Sequence, residues 1–203
     1  NGFSVSPQSL EQYKEMFKTQ IENASLAVLS GSLPIGVPAD FYAECIEIAK
    51  SKGVRTILDA DGEPLKRGLK AVPYAVKPNI HELEAVIGRK LKTKKEVLDA
   101  ARELLETGIE IVIVSMGADG AVIADRDEAF SCETWNADIK STVAAGDSMV
   151  GSLAFAILNE KSLNEIAKIT TAAGTVTASK EGTQICGMTE VFESLEKVTV
   201  KKL

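Results

Sequence analysis

Short apolar runs alternate with amphipathic stretches along this whole chain. Apolar positions recur at helical spacing over residues 8–23, 38–52, 63–69, 79–87, 93–106, 146–159 and 162–179, and again from about Thr189. Between them lie compact runs that fit strands at 26–30, 56–58, 75–77, 109–115, 120–125, 128–134 and 197–201. The punctuation agrees with this division. Ser6-Pro7 introduces the first helix, Gly53 and Gly108 stop later ones, and Asp125-Arg126-Asp127 hinges a hairpin. From Ile109 to Ser115 almost every position is apolar, as in a strand covered on both faces.

Repeated strand–helix units predict an α/β fold with a mainly parallel sheet and helices on both faces. In such sheets ligands gather beyond the carboxyl ends of the strands. Gly31-Ser32, Asp59, Lys77-Pro78-Asn79 and Ser115-Met116-Gly117 all fall at those ends. The 203 residues are read as one domain, without internal repeat or low-complexity linker.

Composition narrows the function classes. With 45% hydrophobic and 26% charged residues, the chain has the make-up of a soluble globular protein. A net charge of -6 and the lack of any basic run argue against a nucleic-acid partner. No apolar run approaches membrane-spanning length and no signal-peptide pattern opens the chain. Cys45, Cys132 and Cys186 are isolated, and His81 is the single histidine, so no metal-ligand spacing arises. The cysteines read as reduced thiols, which places the protein in the cytoplasm. A Gly-x-x-x-x-Gly-Lys-[Ser/Thr] loop and a Gly-x-Gly-x-x-Gly turn are both missing, which excludes a P-loop and counts against a dinucleotide enzyme.

Candidate chemistry concentrates in Ser141-Thr142-Val143-Ala144-Ala145-Gly146-Asp147-Ser148-Met149-Val150-Gly151. Small residues lead to Gly146-Asp147, and an apolar helical pattern starts at once. Unpaired amides and the positive end of the helix dipole meet there, which suits an anion. Asp147 then reads as a base beside a bound phosphate. A plain helix start with Asp in its first turn fits the same residues. Ala144 would be strained if its backbone took positive φ. In Lys77-Pro78-Asn79-Ile80-His81-Glu82, Pro78 forces an extended approach, and Asn79 with Glu82 matches a capping box. Ser115-Met116-Gly117-Ala118-Asp119-Gly120 follows the buried strand as a tight turn.

Together these stretches resemble the phosphofructokinase B family of ribokinase-like sugar kinases, from about residue 25 to the end. The resemblance implies a ribokinase-like three-layer sandwich and phosphoryl transfer from ATP to a hydroxyl of a phosphosugar. It is nearest to the 1-phosphofructokinases, which turn fructose 1-phosphate into fructose 1,6-bisphosphate; tagatose-6-phosphate kinases come next. By position, Asp147 would be the catalytic base that also meets the substrate, and the amides of Ala145, Gly146 and Asp147 the anion hole. Ala144 and Ser152 depart from the family's run. Asn79 and Glu82 would place Mg2+, mostly through water. Lys77, Asn79, Ser115, Gly117, Gly120 and Gly182 would line the ATP, and Gly31 would lie on the sugar side. Asp59 reads as a structural carboxylate, and His81 as a surface or locally packed residue. The resemblance also implies earlier strands, a glycine-rich sugar loop and a lid that forms a homodimer, none of them visible here. The chain is therefore expected to be the later two thirds of a longer kinase, inactive alone. A non-catalytic nucleotide- or sugar-binding module on the same fold is the alternative.

Overall fold

A computed structural model describes residues 4–203. In chain order the elements are α1 (Pro7–Ile21), β1 (Leu26–Ser30), α2 (Phe41–Ser51), β2 (Arg55–Asp59), α3 (Gly62–Lys70), β3 (Ala75–Val76), α4 (Ile80–Ile87), α5 (Lys94–Glu106), β4 (Ile111–Ser115), β5 (Ala121–Ala124), β6 (Ala129–Glu133), α6 (Ala145–Leu158), α7 (Leu163–Ala178), α8 (Met188–Glu193) and β7 (Thr199–Lys202). Every element expected from the hydrophobic pattern is present, with ends unchanged or moved by up to three residues.

The seven strands form one sheet in sequence order. β1 to β4 pair in parallel, and β4 to β7 pair antiparallel in succession. Thus β1, β2, β3, β4 and β6 run one way and β5 and β7 the other. Right-handed crossovers between neighbouring parallel strands put their helices on one face. α2 to α5 accordingly share one core with Leu58, Val76, Val112, Val114 and Val122, and Leu10 and Phe17 of α1 pack against it. The opposite face is covered by α6, α7 and α8, which pack on Ile57, Ala75, Ile111, Ile113 and Ile123. The two sets alternate along each strand, which is why β4 reads as unbroken apolar sequence. The sheet is the middle layer of a three-layer sandwich.

Local signals start several of the helices. Ser6 accepts the Ser9 amide at 3.1 Å, ahead of Pro7 at the first helical position. Asn79, Thr93 and Ser162 each form a capping box with Glu82, Glu96 and Glu165. Among the described residues α6, like α2, α3 and α8, has no side-chain cap. Cys45 and Cys132 lie buried in the two cores, and desolvation pushes their thiols up to about 12 and about 11. Among the described residues, no helix is long and apolar enough to cross a membrane.

Candidate active site

The carboxyl ends of β1 to β4 lie on one rim of the sheet, and the start of α6 reaches the same rim. Asp59 ends β2 and Lys77 follows β3. The Lys77 ammonium lies 3.0 Å from Asp59 Oδ1, and the lysine is only 5% exposed. Ser30 donates its hydroxyl to the other Asp59 oxygen at 3.2 Å, and the Gly31 amide donates to the Asp59 carbonyl at 3.1 Å. Tyr42 Oη donates to the carbonyls of Ser30 and Gly31, which fixes the end of β1. The exposed Gly31 sits at positive φ on this rim.

Lys77 reaches from this pair to the start of α6. A Cβ built on Gly146 would stand 3.4 Å from Lys77 Nζ, so the ammonium lies against the Gly146 backbone. Ala144 precedes α6 with φ 60 and ψ 4, in the left-handed region. The strain conditional on positive φ is therefore present. This turn swings the chain so that the amides of Ala145, Gly146 and Asp147 form the open first turn of α6. Ser141 Oγ accepts the Val143 amide at 3.3 Å and steadies the loop ahead of it. Asp147 is exposed, not sunk among aliphatic groups. With Ser148, Gly151 and Ser152 it forms one wall of a cavity of about 210 Å³, which Ile185, Cys186 and Met188 close from the other side.

The Asn79 turn joins the same rim. Asn79 Oδ1 accepts the amides of His81 and Glu82, and Glu82 Oε2 accepts the Asn79 amide at 2.7 Å. The capping box is thus fully made, and only Asn79 Nδ2 and Glu82 Oε1 lie outside it. Burial pushes the half-buried Glu82 carboxyl above its ordinary value. The Asn79 amide and Lys77 pull the other way, while Asp59 and Asp61 add to the rise. Glu82 therefore lies within electrostatic reach of both members of the Asp59–Lys77 pair. A parallel bridge pairs Asn79 with Ser115, and the Ser115 amide donates to the Pro78 carbonyl at 3.1 Å, which sets the end of β4 beside this turn. The His81 side chain is 83% exposed, with Glu84 3.6 Å away, a surface position.

The two glycines of the β4–β5 turn differ. Gly117 is exposed, and an added Cβ there would meet nothing within 4 Å. Gly120 is buried at φ 85, ψ −130, and an added Cβ would stand 2.9 Å from the Cys132 carbonyl carbon of β6. The hairpin itself requires glycine there. Gly182 lies past the end of α7, exposed and at positive φ. A larger hollow of about 370 Å³ lies at the opposite end of the sheet, among Arg55, Tyr74, Glu110, Arg126 and Lys161. Its lining includes the Asp125-Arg126-Asp127 hinge and none of the candidate site residues.

Residues 4–190 match the family described as pfkB family carbohydrate kinase. The chain belongs to that family. It is 34% identical to a 1-phosphofructokinase of Borreliella burgdorferi, over 100% of this chain and 65% of the relative. It is 33% identical to a 1-phosphofructokinase of Escherichia coli, over 99% of this chain and 64% of the relative. Among solved structures, phosphofructokinase-2 from Escherichia coli in complex with substrates and products superposes with a TM-score of 0.90 at 32% identity, over 96% of this chain and 64% of that one. The chain therefore spans about two thirds of the length of the curated relatives it matches. The ribokinase-like α/β sandwich expected from the sequence is shown, as is membership of a carbohydrate-kinase family.

Sequence reading missed two parts of this site. The Asp59–Lys77 pair links residues read separately, one as structural and one as nucleotide-lining. Its signal was a charged residue ending each of two consecutive apolar strands. The far wall of the Asp147 cavity, Ile185 and Cys186, had no local signal, since only the packing of α7 on α6 brings it there.

Proposed function

We propose that this chain carries the nucleotide-binding and base-bearing part of an ATP-dependent phosphosugar kinase acting on fructose 1-phosphate. The observation that supports it most is the uncapped start of α6, set between the exposed Asp147 carboxylate and the buried Lys77 ammonium. The Ala145 amide gives a long bond to the Thr142 carbonyl at 3.4 Å and Lys77 pairs with Asp59, while no side-chain cap takes the amides of this first turn, against which the Lys77 ammonium lies. A transferring phosphoryl group needs this kind of preorganised positive surround.

In the proposed reaction Asp147 takes the proton from the acceptor hydroxyl. The hydroxyl oxygen bonds to the γ-phosphorus, and the bond from that phosphorus to the bridging oxygen breaks, releasing ADP. The amides of Ala145, Gly146 and Asp147, with Lys77, hold the charge on the phosphoryl oxygens. Ser115, Gly117 and Gly182 border the nucleotide and Gly31 the sugar, while the buried Gly120 acts only by shaping the hairpin that presents Gly117. Among the described residues no three His, Cys, Asp or Glu side chains group to hold a metal. Asn79 and Glu82 offer hard oxygens, one of them outside the capping box, and so fit Mg2+ that keeps most of its water. When bound, Mg2+ offsets phosphate charge. The relatives' names support fructose 1-phosphate as acceptor; tagatose 6-phosphate is the runner-up. The cytoplasm is the setting that suits three free thiols.

The test measures phosphate transfer from Mg-ATP to fructose 1-phosphate, fructose 6-phosphate and tagatose 6-phosphate. It uses the chain and the natural polypeptide that contains it where that is longer. Asp147→Asn should lower kcat by several orders of magnitude and leave ATP affinity nearly intact. Normal turnover in that variant would refute the mechanism. Binding of Mg-ATP without transfer to any of the sugars would favour the binding-module alternative.

A further inference from the structure

α7 carries four buried threonines; the Thr171 hydroxyl has no hydrogen-bond partner among the described residues, and the Thr177 hydroxyl is bonded outside the helix. Thr170 donates its hydroxyl to the Ile166 carbonyl at 2.8 Å, and Thr175 donates to the Thr171 carbonyl at 2.8 Å. These are bonds back into the helix's own preceding turn, the ordinary outlet for a buried helical threonine. Thr177 is 1% exposed, and its hydroxyl leaves the helix. It donates to Ser148 Oγ at 2.8 Å and accepts the Cys186 backbone amide at 3.0 Å.

Those two partners are significant. Ser148 follows Asp147 in the first turn of α6, and Cys186 belongs to the segment that faces Asp147 across the 210 Å³ cavity. One buried hydroxyl thus ties both walls of that cavity to α7. Neighbouring contacts act in the same place. Gly174 lets α7 approach Met149 so closely that an added Cβ would stand 2.9 Å from Met149 Cγ. The amides of Lys140 and Ser141, in the loop leading to the anion hole, donate to the Ala178 carbonyl at 2.9 and 3.1 Å. The last turn of α7 therefore holds the approach loop, the first turn of α6 and the opposite wall.

We infer that Thr177 is a positioning residue for Asp147, acting through Ser148 and the Cys186 amide, and that it sets the width of the cavity in which the acceptor hydroxyl meets the base. The inference rests on the kinase reading above. It needs a hydroxyl at 177 that donates once and accepts once. Serine supplies both, and valine keeps the shape while supplying neither.

The experiment compares Thr177→Val, Thr177→Ser, Thr170→Val and Asp147→Asn in the active polypeptide that contains the chain, measuring kcat, KM for ATP, KM for the phosphosugar and the melting temperature. Thr177→Val should lower kcat about ten- to a hundredfold, the scale expected of a misplaced catalytic group, with KM for ATP within about twofold. Thr177→Ser should restore kcat to near the parent value. Thr170→Val removes an equally buried hydroxyl with no bond outside α7, and should leave kcat unchanged. Should Thr177→Val fail to fold, Ser148→Ala severs the same tie from the other end and should give the same loss in kcat. A parent-like kcat in Thr177→Val or Ser148→Ala, equal losses in Thr177→Val and Thr170→Val, or no rescue by serine would overturn the inference. A parent-like kcat in Asp147→Asn would instead overturn the kinase mechanism, whatever position 177 does.

Discussion

Replacing Ala144 by glycine tests the geometry at the start of α6. Ala144 sits at φ 60, ψ 4, where the Cβ of an L-residue crowds its own backbone, at a cost of about 1–2 kcal/mol. Glycine removes that crowding. It also gives the unfolded chain more freedom, which takes back about 0.4–1 kcal/mol. The net gain should be about 0.5–1 kcal/mol, because no side-chain contact from the Ala144 methyl caps the helix. For a chain of this size 1 kcal/mol moves the melting temperature by about 2–4 °C, so Ala144→Gly should melt about 1–4 °C higher. Thermal melts followed by circular dichroism, with urea titrations showing an unchanged m-value, would read it. Ala144→Val should move the other way, since a β-branched side chain tolerates positive φ less well. A melting temperature at or below the parent's for Ala144→Gly would show that residue 144 is not left-handed, and the amide arrangement derived from that turn would fall with it.

Gly120→Ala should cost about 3 kcal/mol or more, because any Cβ meets the Cys132 carbonyl and φ 85, ψ −130 excludes L-residues; an equilibrium urea midpoint close to the parent's would contradict this. Lys77→Met should lower stability by about 3–5 kcal/mol by leaving Asp59 without its buried partner, and should also depress turnover, which denaturant titration and kinetics measure separately. Glu84 and Glu165 are both held at about 2: Glu84 by Lys90 and the Leu91 amide, Glu165 by Lys161 and Ser162. Their folded values lie below the unfolded one, so their contribution is present above about pH 4.5 and fades as pH falls toward 2. Stability measured across that range should decline less steeply in the Glu84→Gln, Glu165→Gln double variant; an unchanged slope would rule these two carboxylates out.

How much of this was open to sequence reading varies by residue. The Asn79–Glu82 capping box, the caps at Thr93 and Ser162, and the doubly buried β4 follow from spacings of three residues or from an unbroken apolar run, so they could be read locally. The Gly146-Asp147 turn was visible as a loop feeding a helix, and its family resemblance pointed to a phosphate. The reason for glycine at 120 was not visible, because the carbonyl it approaches belongs to residue 132, across a hairpin.

Periodicity alone determined the order of strands and helices, since burial of alternate or every third to fourth side chain is written into the chain by the need to remove apolar groups from water. Tertiary structure alone decided that Asp59 meets Lys77, that Lys77 lies under Gly146, and that Thr177 joins Ser148 to Cys186. Each of these contacts joins residues 9 to 69 positions apart, the first brought together by the pairing of β2 with β3 and the others by the stacking of α6 and α7 on the sheet. No local pattern specifies such pairs, because their partners are chosen by which helices cover which face and by how closely those helices approach.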